Sequence, residues 1–317
     1  MSTAAPSSLR LPASSPNVKI DLRLVVALAA VWIVWGSTYL AMRMAVEGLP
    51  PFLMAGTRFV LAGSVLLGFV RLRGGTLPSR RDWIAAMPIG GLLFLVGNGF
   101  VVVAEQTLPS SVAAVVCATT PLIMTGLVAL RGERPRAIEV VGMVFGIAGV
   151  ALLGIGSPLN GAGIRSFLIV LAPVGWAIGS LIARGRETKA SAIASAGTHM
   201  FMGGLWMLGA ALVLGEHVPA ALPWKSVAAW FYLVFVGSVV GFSAYSWLLK
   251  NARPAVAMSY AYVNPIIAVL LGAALGGETL GWATLLATVL IAGGVVAAVV
   301  LGRRKRAQAR GRAEAEA

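Results

Sequence analysis

The chain has 317 residues, of which 58% are hydrophobic and 11% charged, with a formal charge of +14. Soluble domains carry about a quarter charged residues, so this composition leaves no room for one. The positive charge does not mark a nucleic-acid partner, because it is spread over alternate connections between apolar runs.

Residues 1–23 are rich in Ser, Pro and Ala and read as a disordered lead, not a cleavable signal peptide. Ten apolar runs follow: Leu24–Met42, Phe52–Val70, Trp83–Ala104, Gln106–Leu130, Val140–Ile164, Ser166–Ala183, Ala190–Gly215, Ser226–Leu249, Pro254–Gly277 and Thr279–Gly302. Only the second carries a charge, Arg58. Each run is close to the ~20 residues that carry a helix across a hydrocarbon core of ~30 Å. Lipid offers the backbone no hydrogen bonds, so such runs are expected as helices. The connections are short, and the single cysteine, Cys117, excludes a disulfide within the chain.

Most of the 25 Lys and Arg residues sit on alternate connections and tails, as at Arg71–Arg81, Arg131–Arg136, Arg184–Lys189 and Arg303–Arg312. The intervening connections hold only Arg43, Arg165 and Lys225. Cationic loops resist translocation, so the pattern predicts an all-α polytopic membrane protein of ten spans with both termini cytoplasmic. The basic tail, residues 303–317, suits anionic membrane lipid.

The two halves share traces of duplication. Ala55-Gly56-Thr57-Arg58 recurs 141 residues later as Ala196-Gly197-Thr198-His199, and Gly63 meets Gly204 at the same offset. Pro109, Gly132-Glu133 and Gly149-Val150 reappear 145 residues on as Pro254, Gly277-Glu278 and Gly294-Val295. Five helices is an odd number, so the second half must lie inverted in the membrane. The predicted layout is two inverted five-helix repeats, residues 24–155 and 163–302. Such repeats are the architecture of alternating-access carriers.

Trp35–Tyr39, Ala55–Phe59, Val112–Pro121 and Ser259–Pro265, in this order, make residues 24–302 resemble the EamA family of the drug/metabolite transporter superfamily. The resemblance implies a ten-helix carrier of the bacterial inner membrane that exports amino acids, metabolites or drugs around a central cavity. His199 departs from the pattern of its repeat partner Arg58, and both tails match nothing in the family.

Several residues are candidates for that cavity. Arg58 lies about six residues into its helix, roughly 9 Å deep at 1.5 Å per residue. It either binds the anionic part of a solute, or gates, or serves as a snorkelling structural arginine. His199, placed near mid-helix, either takes up a proton and couples transport to its gradient or is a neutral interhelical histidine. Glu105 is a substrate or proton site, or a solvated carboxylate in an outer loop. Trp35 and Tyr39, with Trp32, form an aromatic stripe on helix 1, with Trp176 on helix 6 as its counterpart; it is either a wall for aromatic solutes or helix packing or an interfacial belt. Tyr260 and Asn264 share a face beside Pro265, and Asn98 is a third polar group in an apolar run. Pro121 and Pro265 unpair the carbonyls of Cys117 and Ala261, for hinge, solute or static kink. The cavity is expected between helices 1, 3, 4, 6, 8 and 9, with helices 5 and 10 peripheral. Gly142-x-x-x-Gly146, Gly237-x-x-x-Gly241 and Gly272-x-x-x-Gly276 read as helix packing.

A membrane enzyme lacks the means here: two histidines, one cysteine, Asp21 and Asp82 make no metal or nucleophile motif. The expected partners are therefore a small-molecule substrate and lipid, with H+ the candidate coupling ion and no cofactor. The alternative to a secondary-active exporter is a passive facilitator or channel. No phosphate loop is present, so energy would come from gradients.

Overall fold

In the computed structural model, residues 22–130, 137–155, 163–186, 188–251 and 259–296 are described. The N-terminal lead up to residue 21, the tail 303–317, the Arg131–Arg136 connection with Glu133, and Pro254 lie outside them. Every regular element among the described residues is helical. The rods are α1 (Leu22–Val46), α2 (Pro51–Leu72), α3 (Arg80–Ala104), α4 (Ser110–Leu130) and α5 (Ala137–Ile155). They continue with α6 (Gly163–Arg184), α7 (Ala192–Val213), α8 (residues 224–251), α9 (Tyr260–Leu275) and α10 (Trp282–Val295). Seven helices are long and apolar enough to cross a membrane, and three shorter apolar stretches lie in α5, α9 and α10. The large apolar side chains left on the outside, among them Leu72, Val213 and Val289, suit a lipid surface.

Local chemistry sets the helix ends. Ser79 caps α3, accepting from the Asp82 amide at 3.3 Å while Asp82 accepts from the Ser79 amide at 2.9 Å. Ser191 caps α7. The starts of α2 and α4 carry prolines and borrow carboxylates from elsewhere. Glu216 accepts from the Phe52 and Leu53 amides at 3.2 and 2.7 Å. Glu278 does the same for α4. Both carboxylates follow a glycine with φ near +65°, Gly215 (67°) and Gly277 (62°), which turns the chain back over the bundle.

Helices pair across the two halves: α2 with α7, α5 with α10, α1 with α8 and α9, α6 with α3 and α4. Exchanging each helix for the one five places along leaves these pairings unchanged. Small residues let α2 and α7 touch. A Cβ on Gly63 would lie 2.6 Å from the Gly197 carbonyl oxygen, and one on Gly204 would lie 2.8 Å from that of Gly56. These four are the glycines matched at the 141-residue offset.

Helices 3, 4 and 8 are irregular. α3 contains a π-helical stretch, Gly91–Gly99, and α8 another, Leu233–Val240. α4 breaks at Ala118–Thr119, ahead of Pro121. The Cys117 carbonyl that Pro121 leaves unpaired accepts from the Thr120 hydroxyl at 2.7 Å, so it is satisfied locally.

A central cavity closed at one end

The irregular helices surround a cavity of about 510 Å³. Trp35 and Tyr39 line it from α1, Arg58 from α2, Asn98 from α3 and Pro121 from α4. Trp176, His199, Tyr260, Asn264 and Pro265 complete the candidate set on its wall. Glu105 is the exception. It is 2% exposed, not a solvated loop residue, and it is not on the cavity wall. The short turn that follows α3 tucks it under the bundle, where neither carboxylate oxygen has a hydrogen-bond partner among the described residues. The wall is also wider than expected, because α2 and α7 contribute to it. Among the described residues none of α5 or α10 is on the wall.

An aromatic belt joins most of these helices. The Trp35 ring packs on Phe242 (5.0 Å between centroids), Tyr245 (5.1 Å) and Tyr260 (4.9 Å). Phe94 bridges Phe242 (6.3 Å), Phe59 (4.6 Å) and Trp176 (6.1 Å). Edge-on and tilted pairs of this kind add to simple burial. Trp35 Nε1 donates to the Gly237 carbonyl at 3.2 Å, inside the π segment of α8. With its amide oriented to donate, Asn264 reaches the carbonyls of Tyr260 and Trp32 at 3.2 and 3.3 Å, tying α9 to α1. Phe59, Phe94, Phe242 and Tyr245 were not singled out from the sequence. An isolated aromatic in an apolar run carries no sign of the face it takes.

Arg58 is 3% exposed. Its Nε donates to the Ser238 hydroxyl at 3.0 Å, and its guanidinium carbon lies 4.5 Å from the centre of the Phe59 ring. Its Nη1 has no partner among the described residues, nor has Asn98 Oδ1. His199 is the eighth of the 22 residues of α7. It also faces a small side pocket with Asp82, Ser195 and Arg186.

The two ends of the cavity differ. Towards the ends of α6 and the start of α7 the wall runs out through Ser180, Ala183, Ala192 and Ser195 to the exposed Arg184. At the other end Glu278 closes the bundle. Its Oε1 accepts from the Ser110 amide and hydroxyl, both at 2.7 Å, and from Arg43 at 3.2 Å. Its Oε2 accepts from the Ser111 amide at 3.1 Å and hydroxyl at 2.6 Å. Burial alone would raise the pKa of this carboxyl. The bonds from Ser111 and Ser110 outweigh it and hold the group below the ordinary glutamate value. Ser226 adds a bond to the Met44 carbonyl at 2.9 Å at this end.

A helical membrane bundle around a solute-sized, aromatic-walled cavity is the arrangement of a small-molecule transport protein. The EamA-like transporter family matches residues 22–155 and again residues 164–300, and the chain belongs to that family. It is 43% identical, over 276 residues, to the uncharacterized inner membrane transporter YedA of Escherichia coli K12, covering 87% of this chain and 89% of that one. It is 28% identical to Protein PecM of Dickeya dadantii over 265 residues, covering 81% and 86% of the two chains. A crystal structure with 23% identity superposes with a TM-score of 0.63 over 89% of this chain and 98% of that chain, and so shares its fold. The protein is a multi-pass transporter of the inner membrane, in the drug/metabolite transporter superfamily.

Proposed function

We propose that the chain is a secondary-active exporter of small metabolites, amino acids or drugs that works by alternating access. In this reading ten spans form two inverted repeats, residues 24–155 and 163–302, with tails 1–23 and 303–317 in the cytoplasm. The exchange of helix contacts between halves, the double family match and the alternation of basic loops support it. In this reading the cavity mouth with Arg184 faces the cytoplasm and Glu278 the opposite side, which the alternation of basic connections supports.

The observation that carries the reading is a cavity sealed at one end by a clamp between the halves and open at the other. A carrier needs one sealed end at a time, with the seal changing sides. Glu278, from the second half, holds Arg43, Ser110 and Ser111 of the first, so this clamp must break before the cavity can open outward. Trp35, Tyr39, Asn98, Trp176, Tyr260 and Asn264 then contact the solute, and Pro121 and Pro265 let α4 and α9 bend between states. Glu105 and His199 are the candidates for proton coupling.

Uphill solute accumulation in proteoliposomes under an imposed proton gradient tests the reading. Strictly downhill flux would favour a passive facilitator, and an unchanged pH profile in His199→Ala would remove that residue from the coupling.

A further inference from the structure

The cavity wall has an unbalanced charge. Arg58, the eighth of the 22 residues of α2, lies in it and Arg184 stands at its mouth, while no Asp or Glu is among the described residues that line it. Burying a guanidinium costs several kcal/mol unless a partner or water compensates it. Among the described residues Arg58 has one hydrogen-bond partner, the neutral Ser238 hydroxyl, lies over the Phe59 ring, and keeps an idle Nη1. Among the described residues no carboxylate forms an ion pair with it; Arg43 and Glu278 form one at the sealed end. Glu105 lies behind the wall with both oxygens unbonded, and a carboxyl stripped of every donor is a poor counter-charge.

A structural arginine would be saturated by carbonyls or by a carboxylate of a neighbouring helix. The π segment of α8 does the opposite. Gly237 clears the space beside Arg58, where a Cβ would stand 3.4 Å from Nη2, and Ser238 fixes only the Nε side. Arg58 is one of the residues lining the cavity next to the aromatic belt, with Nη1 buried and without a partner among the described residues.

We propose that the cavity takes an organic anion: a solute whose carboxylate, or other monoanionic head, is seated on Arg58 and whose apolar or aromatic body lies against Trp35, Phe242 and Tyr260. The site rejects lipophilic cations, because it offers them aromatic faces but no carboxylate, beside a fixed positive charge. This rests on the reading of the cavity as the solute site, and it names the class of solute.

The test uses the full chain purified in detergent and three probes of one shape and three charges: 3-phenylpropionate, its amide and 3-phenylpropylamine, at neutral pH. The anion is expected to bind ~10-fold or more tighter than the amide, since charge-assisted hydrogen bonds are about twice as strong as neutral ones. The amine is expected to bind weakest. Arg58→Gln should level anion and amide, and Arg58→Lys should keep their order with a smaller gap, since lysine loses the planar fork. Equal binding of anion and amide by the unaltered protein, tightest binding of the amine, or no binding of any probe at millimolar concentration would overturn the proposal, whatever the variants do. Flux in proteoliposomes separates the two readings. An anion bound selectively but never moved leaves the site and removes transport. Solutes moved without regard to charge leave transport and remove the site.

Discussion

The two ends of the bundle use the same helices for opposite ends. At the Glu278 end, two Gly-Glu elbows reach from the second half to the helix starts of the first. Glu216 holds α2, and Glu278 holds α4 and Arg43. At the Arg184 end Asp82 caps its own helix and meets Thr188 and Arg186 in a side pocket, and the cavity runs out to solvent. A seal made of one buried, many-bonded carboxylate is strong while intact and fails as a unit. In the proposed exporter such a seal serves as the two-state element.

The comparison breaks most severely if Glu278 is removed. Glu278→Ala leaves the two α4 amides, the two serine hydroxyls and Arg43 without their acceptor. The expected loss of the sealed state is about 2–4 kcal/mol, from charged hydrogen bonds lost together. It is read as new labelling of cavity cysteines from the Glu278 side. Gly272→Ala should have the same sign and a smaller size. Its Cβ would stand 2.6 Å from Glu278 Oε2, displacing the carboxylate without deleting it, at a cost of about 1–2 kcal/mol. This glycine belongs to a motif read in the sequence as helix packing; its neighbour here is the clamp.

Acid gives a third, graded test. The folded carboxyl of Glu278 lies below the ordinary value of 4.5, so its contribution is complete above that value. It is lost as pH falls through the lower, folded value. Labelling from the sealed side should therefore rise only below about pH 4.5, and Glu278→Gln should flatten that part of the profile. Ser111→Ala removes one hydroxyl bond and should weaken the seal by about 1 kcal/mol. At the other end Arg184→Gln, an exposed change, should move stability by less than about 0.5 kcal/mol and leave the sealed side unlabelled. Thermal unfolding measures both.

Much of the frame could be read in the sequence because it depends on composition and period. Apolar length predicts the helices, and polar or aromatic residues in apolar runs, such as Tyr260 with Asn264 or Asn98, find the cavity wall. What stayed hidden is set by contacts between distant residues. Nothing local says that Glu278 meets Ser110, 168 residues away. Glu105 reads as a loop residue because it follows an uncharged helix, yet the next five residues fold too tightly to leave it in water. The π segments of α3 and α8 also have no sequence sign, because Gly91–Gly99 and Leu233–Val240 have the composition of ordinary apolar helix.

Side-specific labelling of a single cysteine at Tyr260, in a Cys117→Ser background, tests the central claim most directly. In the unaltered clamp a membrane-impermeant thiol reagent should reach it from the cytoplasmic side only, and Glu278→Ala should add reaction from the opposite side. Reaction from the opposite side with the clamp intact, or no gain on losing Glu278, would contradict the account.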